Sequence, residues 1–195
     1  MRVISGKYRG RRLKGPKGLE LRPTGDRLKE TLFNILHSRI PGSVVMDVFS
    51  GTGAIGVEAI SRGAGRVVFV ERNPKAIALI RQNLELCGIK DGFDVIQEDV
   101  FKALRSFARQ NSHFDIIFFD PPYDWEPYHD LLKLTIKLEL VSQQTSVVIE
   151  HRRKAALPDS GEGFQRYRIV RQGDSCLSFY KTCESENVRK YEGKP

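Results

Sequence analysis

The sequence predicts an α/β protein whose mostly parallel sheet carries helices on both faces and closes with an antiparallel hairpin. Three observations lead there. Between residues 44 and 150, short apolar runs rich in β-branched residues alternate with segments of helical period. A glycine-rich turn, Gly51-Thr52-Gly53-Ala54-Ile55-Gly56, joins the first of these runs to the segment after it. Near the C-terminus two more β-rich runs, 165–171 and 176–182, are separated only by Gln172-Gly173-Asp174-Ser175, which reads as a hairpin at a sheet edge.

Each element has its own warrant. Thr24 has the side chain to cap a helix running to about His37, in which Leu28, Leu32, Ile35 and Leu36 recur at the 3.6-residue period; Pro41-Gly42 ends it. A strand follows at 44–49, then a helix at 54–62 opened by the glycine turn, and a strand at 66–70. The helix at 74–87 has Pro74 in its first turn, where a missing N–H costs nothing, and Gly88 just past its end. Strand 93–97, helix 100–110, strand 114–119, helix 128–138 and strand 146–150 complete the alternation. Strands linked through helices run parallel, and both faces of their sheet are buried. The last twelve residues, from Glu184, are polar and aperiodic, and are predicted to be disordered.

A chain of 195 residues supports one hydrophobic core and a small extension. No stretch approaches the roughly 20 apolar residues of a membrane span. The opening Met1-Arg2-Val3-Ile4-Ser5-Gly6-Lys7 lacks the apolar segment of a signal peptide, so a soluble cytoplasmic protein is expected. Cys87, Cys176 and Cys183 are scattered without a CxxC pair, and the four histidines show no ligand spacing; neither a disulfide framework nor a metal site is expected. Nothing demands more than a monomer.

The net charge of +8 points to a polyanionic partner, and its distribution is informative. Residues 2–29 hold ten Lys/Arg against Glu20 and Asp26, which accounts for the whole excess. Interleaved with Gly6, Gly10, Gly15 and Gly18, they read as a short β-hairpin or loop arm held against phosphates, with Tyr8 available to stack. Arg9, Arg11, Arg12, Arg22 and Arg27 are its candidate RNA contacts.

The glycine turn alone is compatible with a nicotinamide dinucleotide, and Glu71, about 20 residues on, is where a ribose-binding acid sits in such folds. Three features favour S-adenosylmethionine. Asp47 puts a carboxylate beside the turn, where an ammonium group needs a partner and a pyrophosphate is repelled. Glu98-Asp99 closes the third strand with an acid able to accept from an adenine amine. The fourth strand ends in Asp120-Pro121-Pro122-Tyr123, a rigid slot with no use in a dehydrogenase. The Asp120 carboxylate and the Pro121 carbonyl are acceptors for an exocyclic amine, and Tyr123 offers a ring to cover the base that carries it.

With these residues in place, the chain resembles the class I S-adenosylmethionine-dependent methyltransferases, and more closely the RsmD family of bacterial 16S rRNA guanine-N2 methyltransferases. The likeness covers nearly all of residues 1–183. It rests on Arg2-Val3-Ile4-Ser5-Gly6 with Arg9-Gly10-Arg11, on Arg22-Pro23-Thr24-Gly25-Asp26-Arg27 leading into Glu30-Thr31-Leu32-Phe33-Asn34, on the glycine turn, on Glu71 with Asn83, and on the Asp-Pro-Pro-Tyr slot. It implies a Rossmann-like, seven-stranded sheet, with residues 1–40 as a basic N-terminal extension, 41–183 as the methyltransferase domain and 184–195 as a tail. It further implies cofactor contacts at Asp47, Ser50, Gly51, Thr52, Gly53, Glu71, Arg72, Asp99 and Val100, and target-base contacts at Asp120, Pro121 and Tyr123. The implied partner is 16S rRNA or the assembling small ribosomal subunit. Ser50 stands where relatives often have alanine.

The slot by itself also suits adenine or cytosine in DNA, or a protein glutamine amide. A chain this short has no added domain to read DNA sequence, which favours RNA. A nucleic-acid-binding module that has lost catalysis is the other reading, and intact acids at 47, 71, 99 and 120 speak against it.

Overall fold

The computed structural model describes residues 1–15, 25–122 and 125–183. Strand β1 (Val44–Val48) lies at the centre of the parallel region, paired with β2 (Arg66–Glu71) on one side and β4 (Ile116–Phe119) on the other. Outside these, β3 (Phe93–Gln97) joins β2, and β5 (Ser146–Arg152) joins β4, both in parallel. The sheet continues antiparallel through β8 (Ser175–Thr182), β7 (Phe164–Gln172) and the two-residue β6 (Ser160–Gly161), giving the order β3-β2-β1-β4-β5-β8-β7-β6. The chain winds outward from β1 in both directions, and the crevice between β1 and β4 is the switch point where open α/β sheets hold ligands.

Side chains of successive strand residues point to opposite faces, and two cores result. Val45, Phe69, Phe118, Val148 and Phe179 face one way, under α1 (Asp26–Ile35), α2 (Ala54–Ser61) and α3 (Pro74–Cys87). Met46, Val68, Ile117, Ile149 and Tyr180 face the other, under α4 (Val100–Arg109) and α5 (Tyr128–Lys137). Among the described residues no helix is long and apolar enough to cross a membrane.

The structure corrects some expectations. Among the described residues the sheet has eight strands, where seven were expected. β6 escapes notice because Ser160-Gly161 sits in a Ser-Gly-Glu-Gly stretch that reads as a turn; its strand character comes only from pairing with Phe164 and Gln165 of β7. The first helix has Gly25 at its N-cap with no side-chain bond and ends at Ile35; a 3-10 turn at His37–Arg39 follows. Thr24 itself and the tail from Glu184 lie outside the described residues. β1 stops at Val48 because Phe49 turns to φ 58°, a left-handed backbone that costs a non-glycine residue about 1–2 kcal/mol. The boundaries at Pro74 and Gly88 stand as read, with the Asn73 side chain accepting from the Lys75 N–H at 2.9 Å and Gly88 at φ 72°.

The basic N-terminal residues fold back on themselves and dock. The Val3 N–H donates to Arg11 O at 3.0 Å, Gly10 N–H to Val3 O at 2.9 Å, and Arg2 bridges Arg12 in antiparallel fashion. Val3 and Leu13 are buried in the same apolar cluster as α1 and α2. Fully buried Glu58 of α2 accepts from the N–H groups of Ile4 (2.7 Å) and Ser5 (3.0 Å), and Ser61 Oγ accepts from Tyr8 N–H at 2.9 Å. Lys29, one of the ten cations of the N-terminal stretch, is not a surface charge. It is completely buried, donating to Arg2 O at 2.6 Å with its ammonium 3.5 Å from Glu58, and desolvation lowers its pKa.

Candidate active site at the carboxyl edge of the sheet

The carboxyl ends of the parallel strands enclose a cleft beside the β1/β4 switch point. Val48 and Phe49 follow from β1, Glu71 and Arg72 from β2, and Glu98 and Asp99 from β3. Val100 and Phe101 open α4, and Pro122 and Trp125 come from the segment after β4. Of the expected cofactor contacts, Glu71, Arg72, Asp99 and Val100 therefore line one cleft. Parallel pairing puts them there: Val48 lies opposite Val70, and Glu71 opposite Gln97, so the strand ends are level.

Of the other expected cofactor contacts, Asp47 lies within β1 and Ser50, Gly51, Thr52 and Gly53 form the turn that follows it; none of the five lines that cleft, and the turn's polar groups are held from within. Glu71 Oε2 accepts from Gly51 N–H at 3.0 Å and Oε1 from Asn73 N–H at 2.8 Å, so one carboxylate ties the glycine turn to the start of α3. Ser50 Oγ donates to Asp47 O at 2.6 Å. Asp47 is buried beneath the turn, its Oδ2 accepting from Gly56 N–H at 2.9 Å; burial pushes its pKa up to about 8, the Gly56 bond opposes this and the charge of Glu71 adds to it. Gly56 is needed for contact: a Cβ there would stand 2.1 Å from the Phe69 ring, so α2 could not lie this close to β2. Asp99 caps α4, with Oδ1 accepting from Phe101 N–H at 3.0 Å.

Asp120 is the first residue past β4, and its N–H donates to Val48 O at 3.2 Å, which fixes the slot against the end of β1. Pro121 is buried and Pro122 exposed along the cleft. Trp125 N–H donates to Pro122 O at 2.9 Å. Tyr123 lies outside the described residues, as does Arg22. Arg9, Arg11 and Arg12 are exposed on the docked arm and Arg27 on α1.

Sequence reasoning missed an aromatic wall. The Trp125 ring meets Phe49 edge-on at 5.5 Å, stacks with Phe101 at 6.3 Å and meets Tyr128 edge-on at 5.1 Å. Tyr128 is buried, and desolvation, with the charge of Asp120 adding to it, pushes its pKa up to about 12. The only signal was the chain's single tryptophan, three residues beyond the second proline. Asn83 was noted without a role. It is fully buried, accepting from Lys14 N–H at 2.8 Å and donating to Lys14 O at 3.2 Å and Thr52 O at 2.9 Å.

A parallel sheet wound outward from β1, an antiparallel strand against β5, and acids at or beside the carboxyl ends of β1 to β4 define a class I methyltransferase fold. A family model described as conserved hypothetical protein 95 matches residues 1–181, and the chain belongs to that family, the RsmD family. The Bacillus subtilis protein YlbH is 35% identical over 181 residues, 93% of this chain and 98% of its own length. A Haemophilus influenzae relative named ribosomal RNA small subunit methyltransferase D is 34% identical over 152 residues, 77% of this chain and 78% of its own. A solved hypothetical protein of Thermus thermophilus superposes with a TM-score of 0.80 at 30% identity, covering 92% of this chain and 98% of its own.

Proposed function

We propose that this protein is an S-adenosylmethionine-dependent methyltransferase acting on the N2 amine of a guanine in 16S rRNA of the small ribosomal subunit. The observation that carries the reading is the adjacency of the acid-lined cleft and the Asp120-Pro121-Pro122 slot, which share Pro122 at the β1/β4 crevice. The small-subunit rRNA methyltransferase named among the relatives supports the choice of substrate.

The residues present fit the cofactor. Glu71 and Asp99 are acceptors for ribose hydroxyls and an adenine amine, Val100 and Phe101 offer apolar contact to a base, and Asp47, buried in β1 beneath the turn, is the acid whose ionised form an ammonium group would stabilise. When bound, S-adenosylmethionine supplies a methyl group already activated by its sulfonium. The protein's task is then placement. Asp120 and the Pro121 carbonyl accept from the guanine amine, hold its nitrogen toward the cleft, and stabilise the positive charge that develops on it. Tyr123 stacks on the base, which must be unpaired or flipped out of its helix to enter. The exposed arginines of the arm hold RNA phosphates. Proton loss to water completes the reaction, so no strong base is required.

The test is to incubate the protein with labelled cofactor and, separately, small subunits, assembly intermediates, naked 16S rRNA, tRNA and duplex DNA, and to identify the modified nucleoside by mass spectrometry. N2-methylguanosine from the small subunit or its rRNA is the expected result. A methylated adenine or cytosine from DNA, or no label at all, overturns the reading.

A further inference from the structure

Residues 2–29 account for the whole net charge, so the remainder of the chain is neutral overall, but its charges are not evenly spread. Residues 151–171 carry six Lys/Arg (Arg152, Arg153, Lys154, Arg166, Arg168, Arg171) against Asp159 and Glu162. The topology gathers most of these at one place. His151 at the end of β5 pairs with Cys176 of β8, which pairs with Arg171 of β7, and Arg153 N–H donates to Asp174 O at 2.8 Å. Because β8 runs antiparallel, the β7–β8 turn lies at the carboxyl edge of β5, the edge that bears the cleft.

Arg152, Arg153, Lys154 and Arg171 are exposed there, and Arg166 is half-buried, paired with Asp159 and donating to Ser178 Oγ at 3.5 Å. Strand register brings Arg152 opposite Ser175 and Arg171 opposite Cys176, and the Arg153 backbone is bonded to Asp174 of the intervening turn, so Arg152, Arg153 and Arg171 are neighbours at this edge. Among the described residues no ion pair holds Arg153, Lys154 or Arg171. Like charges so arranged raise the local positive potential and draw anions to this edge. The patch is also close to the cleft. The His151 ring lies 6.5 Å from that of Tyr128, which meets Trp125 of the cleft at 5.1 Å.

We infer that Arg153 and Arg171, with Arg152 and Lys154, form a second RNA-phosphate surface that grips the backbone on the far side of the target nucleotide from the basic arm. In sheet order the β1/β4 cleft lies between them. The arm reaches the glycine turn through Lys14 on the β1–β2 side, and the patch sits beyond β5 on the other. A nucleotide turned out of its strand has a phosphate on each side, and holding both fixes the base in the slot. This inference rests on the RNA methyltransferase reading above.

The test is the double variant Arg153→Gln with Arg171→Gln, leaving Arg166 and its internal bonds intact, and a matched Arg153→Lys/Arg171→Lys control. Expected are a KM for naked 16S rRNA raised about tenfold and a log-log salt slope reduced by roughly 1.4, at about 0.7 for each phosphate of single-stranded RNA no longer neutralised. Cofactor affinity and melting temperature stay at wild-type values, and the lysine control recovers most of the affinity. Wild-type affinity and slope in the glutamine variant, while the unmodified protein still methylates rRNA, overturn this inference alone. Loss confined to assembled subunits, with naked rRNA unaffected, also overturns it, since the patch would then dock a protein. Absence of RNA methylation by the unmodified protein removes the underlying reading instead.

Discussion

The Asn83 side-chain amide donates to the Thr52 carbonyl at 2.9 Å, and the same amide grips both the N–H and the carbonyl of Lys14. One buried residue on α3 thus joins the end of the basic arm to the glycine turn. Asn83→Ala leaves those backbone groups without partners, at a cost of about 1–3 kcal/mol. Both ends should feel it: S-adenosylhomocysteine affinity falls by roughly five- to a hundredfold in calorimetry, and hydrogen exchange across residues 1–15 quickens. Unchanged values at both ends would show that the amide couples nothing.

Glu58 is the anchor of the arm. Its carboxylate faces buried Lys29, the Arg62 guanidinium at 2.7 Å and the N–H groups of Ile4 and Ser5. Removing one partner of a buried pair strands the other charge, so Glu58→Ala should destabilise the fold by about 3–5 kcal/mol in urea titration. A loss below about 1 kcal/mol would mean that water reaches Lys29 and the pair is not buried in solution.

Asp120 is expected to act on the bound amine and not on the cofactor. Asp120→Ala should lower kcat by on the order of a hundredfold or more, the scale for losing one preorganised electrostatic partner, with the cofactor Kd little changed. Tyr123→Ala should raise KM for RNA, through lost stacking of about 1–3 kcal/mol. Turnover by the aspartate variant at the wild-type rate removes Asp120 from the mechanism.

Asp47 makes stability depend on pH. Burial raises its pKa from 3.8 to about 8, so between those values the folded chain holds a proton that the unfolded chain has released. Its contribution is full below about pH 4 and is lost as pH rises through 8. The melting temperature of the wild type minus that of Asp47→Asn should decline across that window. His151, whose pKa is lowered chiefly by burial, acts in the opposite sense as pH falls below 6.5, but it is common to both proteins and cancels. A flat difference curve rejects the buried neutral acid.

Trp125 is the only tryptophan and lines the cleft, packed among Phe49, Phe101 and Tyr128. Intrinsic fluorescence should therefore change on titration with S-adenosylhomocysteine and saturate with the calorimetric Kd, and Trp125→Phe should abolish the signal while retaining most of the affinity. A spectrum indifferent to cofactor would place the ligand elsewhere.

The parallel core was legible because each of its elements carries a local signal. Apolar runs of strand length, the glycine turn, and Pro74 and Gly88 around α3 depend on φ preference and periodicity, which neighbouring residues settle among themselves. Edge strand β6 carried no such signal, because two residues acquire strand character only from a partner. The acids at 47, 71, 99 and 120 were found by position, since parallel strands of similar length end together. The aromatic wall was not, because Phe49, Phe101, Trp125 and Tyr128 come from three separate segments and meet only when the sheet is assembled.

The sequence by itself determined the fold class, the family and the edge of the sheet where chemistry belongs, since these follow from short-range pattern and from motifs contiguous in the chain. Only the tertiary structure decided which charges face solvent. Lys29 is one of ten cations in the N-terminal stretch, yet it is buried against Glu58, while Arg153 and Arg171, eighteen residues apart, are neighbours at the end of a hairpin. The physical reason is that a charge's cost or use is set by its distance from other charges and from water, and those distances exist only once the strands have paired.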